Sequence, residues 1–405
     1  MSANRPAAFW IVLLHVFLVA AFGNAYAKLA IPIGEVIVFP TELVVVSAAV
    51  LGFRAIVSVP RDTITMLVVA FVGVGVLWLG IGGMPAPSSA GAKAFSFFVY
   101  SIFYFVVRGC AVDDEARWQF LRAIGTASIV GACIGLVQMR TGATLFTAAE
   151  EFEITSTGST RWLGGDFGLY GVFTTLVFGI KAIFERKLAL HSTLLLAAAA
   201  LEIILSQHRS AFVALAVGFG ATTLLGGSTE ALRGLTKLAV IAVVGIVVSA
   251  YLFGSSYVDD TVTRLAHTSD LNDENINWRL LSSYEVFYGV QEEPLGHGFT
   301  VWDFLFNLKD PLTGSHNSLL DLAYRIGIPG LGVFLAIPVA LVRRTRRLVR
   351  ATGGHANVML VSTCTCVLAV LTFACFNVVL ETPYMSIFFW IFLGIAAGVL
   401  HERSR

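Results

Sequence analysis

Four residues of this 405-residue chain have types and settings suited to moving a proton next to a polyanion. His316 precedes Asn317 in GSHNSLLDLAYRIGIPG, directly before an apolar run. Arg161 lies in STGSTRWLGGDFGLYG, Arg209 in SQHRSAFVAL, and Arg279 ahead of LLSSYEVFYGVQEEP. Ser318 followed by Asp321 fits a helix N-cap with an acid three residues on, which would put His316 and Asn317 just outside a helix N-terminus. Free N–H groups and the positive dipole end there favour an anion and disfavour an imidazolium, so His316 is expected to stay neutral and able to accept a proton. Arginine forks match phosphate oxygens, and the polyanion natural at a membrane surface is a lipid diphosphate. The chemistry such a set could perform is group transfer from that diphosphate, with Asn317, Ser318 and Asp321 in support.

The elements that must position these residues are membrane helices. Hydrophobic residues make up 57% of the chain and charged residues 13%, with a mean hydropathy of +0.80, which excludes a water-soluble domain of this length. Apolar runs predict an all-α polytopic protein of about twelve spans, near 8–23, 35–53, 63–83, 94–107, 118–138, 166–180, 190–206, 209–226, 238–253, 318–342, 356–377 and 383–400. The first is read as a span and not a cleaved signal peptide, because little positive charge precedes it and no small-residue cleavage site comes before Lys28. The chain divides accordingly into helices over 1–253, a large outer loop over 254–317, and helices over 318–405.

Alternate connections carry Arg54 and Arg61; Arg108 and Arg117; Lys181, Arg186 and Lys187; Arg233 and Lys237; Arg343, Arg344, Arg346, Arg347 and Arg350; then Arg403 and Arg405. Short connections on the other side hold few cations: Lys28, Lys93 and Arg209. By the positive-inside rule both termini are cytoplasmic. Arg161, Arg209, Arg279 and His316 then all emerge on the outer face, while the inner arginines read as plain orienting charge. In the outer loop, Leu280, Leu281, Tyr284, Phe287 and Tyr288 recur at the spacing of one helical face, predicting an amphipathic helix that lies in the membrane interface or covers a protein core. Arg209, at membrane depth, should have a partner or a task, Glu202 being one available carboxylate.

The outer loops contain acids, including Glu150, Glu151, Glu153, Asp259, Asp260, Asp270, Asp273 and Glu274, but their neighbours read as solvated loop. No metal-ligand cluster and no Asp-x-Asp stands out, so no metal and no cofactor is expected. The five cysteines, Cys110, Cys133, Cys364, Cys366 and Cys375, lie in or at the ends of apolar segments, where packing is their expected role.

The run from Arg279 through P294-L-G-H-G-F to S315-H-N-S-L-L-D-L-A-Y-R-I-G-I-P-G resembles the core of the bacterial O-antigen ligase and polymerase superfamily, and SQHRSAFVAL resembles its short arginine-containing turn. The likeness covers about 200–340 well and RWLGGDFGLYG more loosely. One departure is Arg325, where members often carry an acid; it could pair with Asp321 one helical turn back. The resemblance implies a GT-C-like membrane glycosyltransferase in the bacterial inner membrane, working on the periplasmic side without nucleotide sugar or obligatory metal. Its donor would be an undecaprenyl-diphosphate-linked glycan, and its acceptor a second glycan, lipid A core or another hydroxyl. Nothing marks a basic platform for a phosphorylated core, which leans the reading toward a polymerase; no nucleic-acid partner is expected. His316 would take the proton of the attacking hydroxyl, and Arg209 and Arg279, with Arg161, would hold the departing diphosphate. The competing class is a transporter or channel for a small anion. That would favour broken spans at matching positions of two repeated halves and polar residues at mid-membrane, whereas no internal repeat is evident and the polar residues fall at the outer rim.

Overall fold

The computed structural model describes residues 5–27, 29, 31–33, 36–83, 90–142, 162–185, 189–226, 274–299, 315–353 and 357–404. These form a helical bundle with one short antiparallel hairpin, β1 (Ile31–Ile33) with β2 (Val36–Val38), Ile31 facing Val38. The helices are α1 (Ala7–Ala27), α2 (Pro40–Leu51), α3 (Phe53–Val57), α4 (Thr63–Gly82), α5 (Ala90–Val99), α6 (Ile102–Cys110), α7 (Asp114–Thr141), α8 (Gly165–Glu185), α9 (Leu190–Ser206), α10 (Arg209–Gly226), α11 (Glu274–Glu292), α12 (Ser318–Thr352), α13 (Val358–Ala374) and α14 (Pro383–Arg403). Seven of them, α1, α4, α7, α8, α10, α12 and α14, are long and apolar enough to cross a membrane, and α2, α9, α13 and the 94–110 stretch are shorter apolar helices. The span expected over 238–253 lies outside the described residues. The protein is a polytopic membrane protein.

Apolar helices bury their backbone polar groups internally, which is why only such elements suit lipid. α14 is the most enclosed, packing against α6 and α13. Trp390 on it is fully buried, donates Nε1–H to Phe97 O at 3.1 Å, and joins Phe71, Phe97, Phe334 and Phe389 in a cluster of tilted and edge-on rings. This core ties α4, α5, α12 and α14 together.

One end of the bundle carries both termini. There Arg108 is buried and ion-pairs with Asp62, Arg117 pairs with Glu402 and with Asp114 (3.1 Å), and Arg5 pairs with Asp113 (3.2 Å). Arg344 of α12 reaches Thr63 Oγ1 at 2.6 Å at the same end. Arg108 and Arg117 are thus not plain orienting charge but members of ion pairs whose partners lie far off in sequence. α7 runs 28 residues from this end, about 42 Å at 1.5 Å per residue, to the end that carries the α9–α10 turn and the start of α12.

The expected helix over 318–342 extends to Thr352 and is kinked at Gly327 (φ 73°). Pro329 has no N–H to give Arg325 O, and the kink redirects the Ile328 N–H. The P-L-G-H-G segment replaces what is lost: His297 N–H donates to Tyr324 O (2.8 Å), Gly298 N–H to Arg325 O (2.8 Å), and Ile328 N–H to Pro294 O (2.9 Å). The backbones approach so closely that a Cβ on Gly296 would lie 2.5 Å from Gly327 N, and one on Gly327 would collide with Leu295 O. Glycine is required at both positions for space and for positive φ. His297 serves this joint, its Nε2 3.0 Å from Gly289 O and its ring stacked on Tyr324 at 4.0 Å. Phe299 then wedges against Phe95 and Phe98.

Candidate active site

His316 lies at the start of α12 in a left-handed conformation, φ 57°, uncommon for a residue with a side chain. It is held from both sides. Ser315 Oγ donates to Asp321 Oδ1 at 2.6 Å, the Ser315 N–H donates to the same oxygen at 3.2 Å, and the Asn317 N–H donates to Ser315 Oγ at 3.2 Å. The Asn317 side chain accepts from Leu320 N–H at 3.1 Å, so Asn317 is the N-cap. This corrects the expected cap at Ser318, which is the first helical residue. Asp321, expected to close a capping box onto Ser318, reaches back to Ser315 instead. Both Asn317 and Ser318 are good capping types, and the chain takes the earlier one because Ser318 has other bonds to make.

Those bonds lead to a turn that sequence reasoning did not single out. Ser318 Oγ accepts N–H groups from Val379 (2.8 Å) and Leu380 (3.2 Å) and lies 3.0 Å from Asn377 O and 3.5 Å from Glu381 Oε2. Asn377 Nδ2 donates to Ser210 Oγ at 2.7 Å and to Phe373 O at 3.1 Å. Ser210 Oγ is also 2.6 Å from His208 Nδ1, whose ring stacks on Phe373 at 5.2 Å. Arg279 Nη1 donates to Phe376 O at 3.4 Å. The turn from Phe376 to Glu381 therefore touches Ser318, two residues after His316, Ser210, the neighbour of Arg209, and Arg279 itself.

The arginines enter from separate elements. Arg209 opens α10 after a turn in which Gln207 takes φ 46°. Glu202 is fully buried, its carboxylate lying against Gly131 of α7. Arg161 lies outside the described residues. The next residue, Trp162, donates its N–H to Leu205 O at 3.2 Å, and Gly165 abuts the His208 ring. That stretch borders the Arg209 turn.

Arg279 sits on α11, whose packing decides between the two expectations for this helix. Ser282, Val286 and Val290 are buried, with Val286 and Val290 clustered with Ala323 and Tyr324 of α12. Leu280, Leu281, Tyr284, Phe287 and Tyr288 are all at least half exposed. The helix therefore does not cover a protein core with its apolar stripe; that stripe faces outward. Ser282 Oγ stands 3.4 Å from Ser315 O, which brings α11 against the residue preceding His316.

The strap formed by Ser315–Asn317 leads into a buried charged trio. Asp321 and Arg325 are almost wholly buried, and Arg325 lies in the field of both Asp321 and Glu381. The suggested Asp321–Arg325 pair thus has a third member from another helix connection. Burial pushes the Glu381 carboxyl well above the ordinary range, the neighbouring Asp321 charge adds to this, and Arg325 opposes it. Among the described residues no three of His, Cys, Asp and Glu are grouped to hold a metal ion. The acidic runs at 150–153 and 259–273 lie outside the described residues, as do the side-chain contacts of Glu274.

The segment with His316, Arg209 at the start of α10, Arg279 in the second turn of α11 and the 376–381 turn thus lie together at one end of an apolar bundle. Residues 194–335 match the family model for O-antigen ligase. No curated protein matches the chain. The matched segment includes Arg209, Arg279, the Pro294–Phe299 clasp, His316 and Arg325. Asn377 and Glu381 lie beyond the matched segment and were hidden from motif reading. Their signal was a short polar gap, FNVVLET, between two apolar runs.

Proposed function

We propose that this protein transfers a glycan from an undecaprenyl-diphosphate carrier to an acceptor hydroxyl on the periplasmic side of the bacterial inner membrane, its termini being cytoplasmic. The acceptor is a second lipid-linked glycan or lipid A core. The acceptor oxygen attacks the anomeric carbon, the bond from that carbon to the diphosphate oxygen breaks, and undecaprenyl diphosphate leaves. His316 accepts the hydroxyl proton. Arg209 and Arg279, joined by Arg161, hold the diphosphate and offset its growing negative charge. Asn317, Ser318 and Asp321 fix the strap on which His316 stands.

The observation that carries this reading is the convergence at one end of the bundle. Asn377 bonds beside Arg209, its carbonyl meets Ser318 two residues after His316, and Phe376 O meets Arg279. A diphosphate at such a rim needs no nucleotide and leaves its polyprenyl chain in lipid. Outward-facing Tyr284, Phe287 and Tyr288 suit α11 to the membrane interface, holding Arg279 near headgroup depth.

The test uses purified protein in detergent with lipid-linked glycan and acceptor, following product size and release of undecaprenyl diphosphate. Parent protein should transfer, and His316→Ala, normally folded and inserted, should lose on the order of 10²- to 10⁴-fold in rate. Flux of free anion through proteoliposomes without any glycan transfer would put the chain in the transport class. Near-parental transfer by His316→Ala would remove the base.

A further inference from the structure

Asn377 occupies an unusual place for a residue outside every motif. It is 7% exposed and sits four residues after Phe373, whose carbonyl takes one of its two side-chain N–H bonds. The other goes to Ser210 Oγ, adjacent to Arg209, and the Asn377 backbone carbonyl accepts from Ser318 Oγ. Both donors of the amide are thereby committed. From the α10 side, Ser210 is buried and also engages His208, which is stacked on Phe373. The start of α10 and the start of α12 are separate in sequence by more than a hundred residues, and the side chain and backbone of Asn377 join them by hydrogen bonds.

We infer that Asn377 is a positioning residue: it sets the spacing between Arg209 at the head of α10 and His316 at the head of α12. Resting on the reading of His316 as base and Arg209 as diphosphate holder, this gives the 376–381 turn a share in the reaction although it touches no reacting atom. An arginine holding the diphosphate and a histidine taking the proton must meet opposite sides of one anomeric carbon. Proximity effects are steep, and a displacement of about 1 Å can cost about a hundredfold. The tie acts on the rate of the bound complex. Binding of the donor rests on the arginines themselves, which keep their charge when Asn377 is changed.

The experiment is a double-mutant cycle on Asn377→Ala and Ser210→Ala, with His316→Ala alongside, each rate divided by the amount of folded protein measured by size exclusion in detergent. Each single variant is expected to lower kcat by roughly ten- to a hundredfold, with KM for the lipid-linked donor near the parental value. The double variant should be no slower than the slower single, because both changes cut the same bond. If Asn377→Ala is not recovered folded, Ser210→Ala cuts the bond from its other end and must show the same loss in kcat. Parental kcat in the folded single variants, or losses that multiply in the double variant, overturns the positioning role while an inactive His316→Ala leaves the site reading intact. Transfer by His316→Ala overturns the site reading itself.

Discussion

The two ends of the bundle use the same residue type in opposite ways. At the end bearing the termini, Arg108 and Arg117 are buried and each is matched to a carboxylate, Asp62 and Glu402. At the His316 end, the carboxylate Asp321 spends one oxygen on Ser315, while Asn317, Ser318, Asn377 and Ser210 build the scaffold from neutral hydrogen bonds. An ion pair fixes a helix end but neutralises the charge that makes it. Neutral hydrogen bonds between Asn377, Ser210 and Ser318 fix the starts of α10 and α12 at the other end, beside the buried trio of Asp321, Arg325 and Glu381. The first arrangement is rigid through charge pairing, and the second through a shared network of uncharged groups.

The comparison is broken most forcefully at the arginines. Arg209→Lys and Arg279→Lys keep the charge and lose the planar fork, and each should lower transfer by on the order of 10²- to 10³-fold, the cost of removing one transition-state donor. The assay is donor turnover by folded protein. Lysine variants that work like the parent would show that charge alone suffices.

Asp62→Ala sharpens it from the other end. It removes the partner of Arg108 and the cap of α4, where Asp62 Oδ1 accepts from Ile64 and Thr65 N–H at 3.0 Å. Leaving a buried arginine unmatched should cost roughly 3 kcal/mol, read as earlier thermal unfolding in detergent, with turnover per folded molecule unchanged. The pH dependence has a definite sign. Burial pushes the Asp62 carboxyl up, but hydrogen bonds from Arg108 and Thr65 outweigh this and hold it below the usual range. Its contribution to stability is therefore complete above the ordinary carboxylate pKa of about 4 and is lost as pH falls through the lower folded-state value. Activity that fell in proportion with stability-neutral changes at this end would erase the division of labour.

The smallest effect is expected from a chelator. If arginines supply the positive charge for the diphosphate, excess chelator should leave turnover of the purified protein unchanged. Turnover that stops and returns with magnesium or manganese would assign the electrophilic half of the site to a metal.

The membrane character and the seven long apolar helices were legible because a run of about 20 apolar residues has few other uses, whereas the runs at 35–53 and 94–107 break into shorter elements. The His-Asn strap and the Arg209 turn were legible because polar groups at membrane depth stand out against lipid-facing sequence. Periodicity gave the apolar stripe of α11 but not its direction, since spacing defines a face without saying what it meets. The cap was misplaced by one residue because Asn317 and Ser318 are both competent, and the choice depends on Val379 and Leu380, about sixty residues away. Asn377 and Glu381 escaped for the same reason: their partners are set by packing of α12 against the α13–α14 turn, which no local window contains.

The clasp between Pro294–Gly298 and the α12 kink has a consequence for how this protein can vary. Phe299 is wedged between Phe95 and Phe98, and Ser315 is bolted to Asp321, so both ends of the intervening stretch, 300–314, are anchored independently. A change in chain length between these two posts would leave the contacts of both in place, because the entropy of closing a chain grows only slowly with its length.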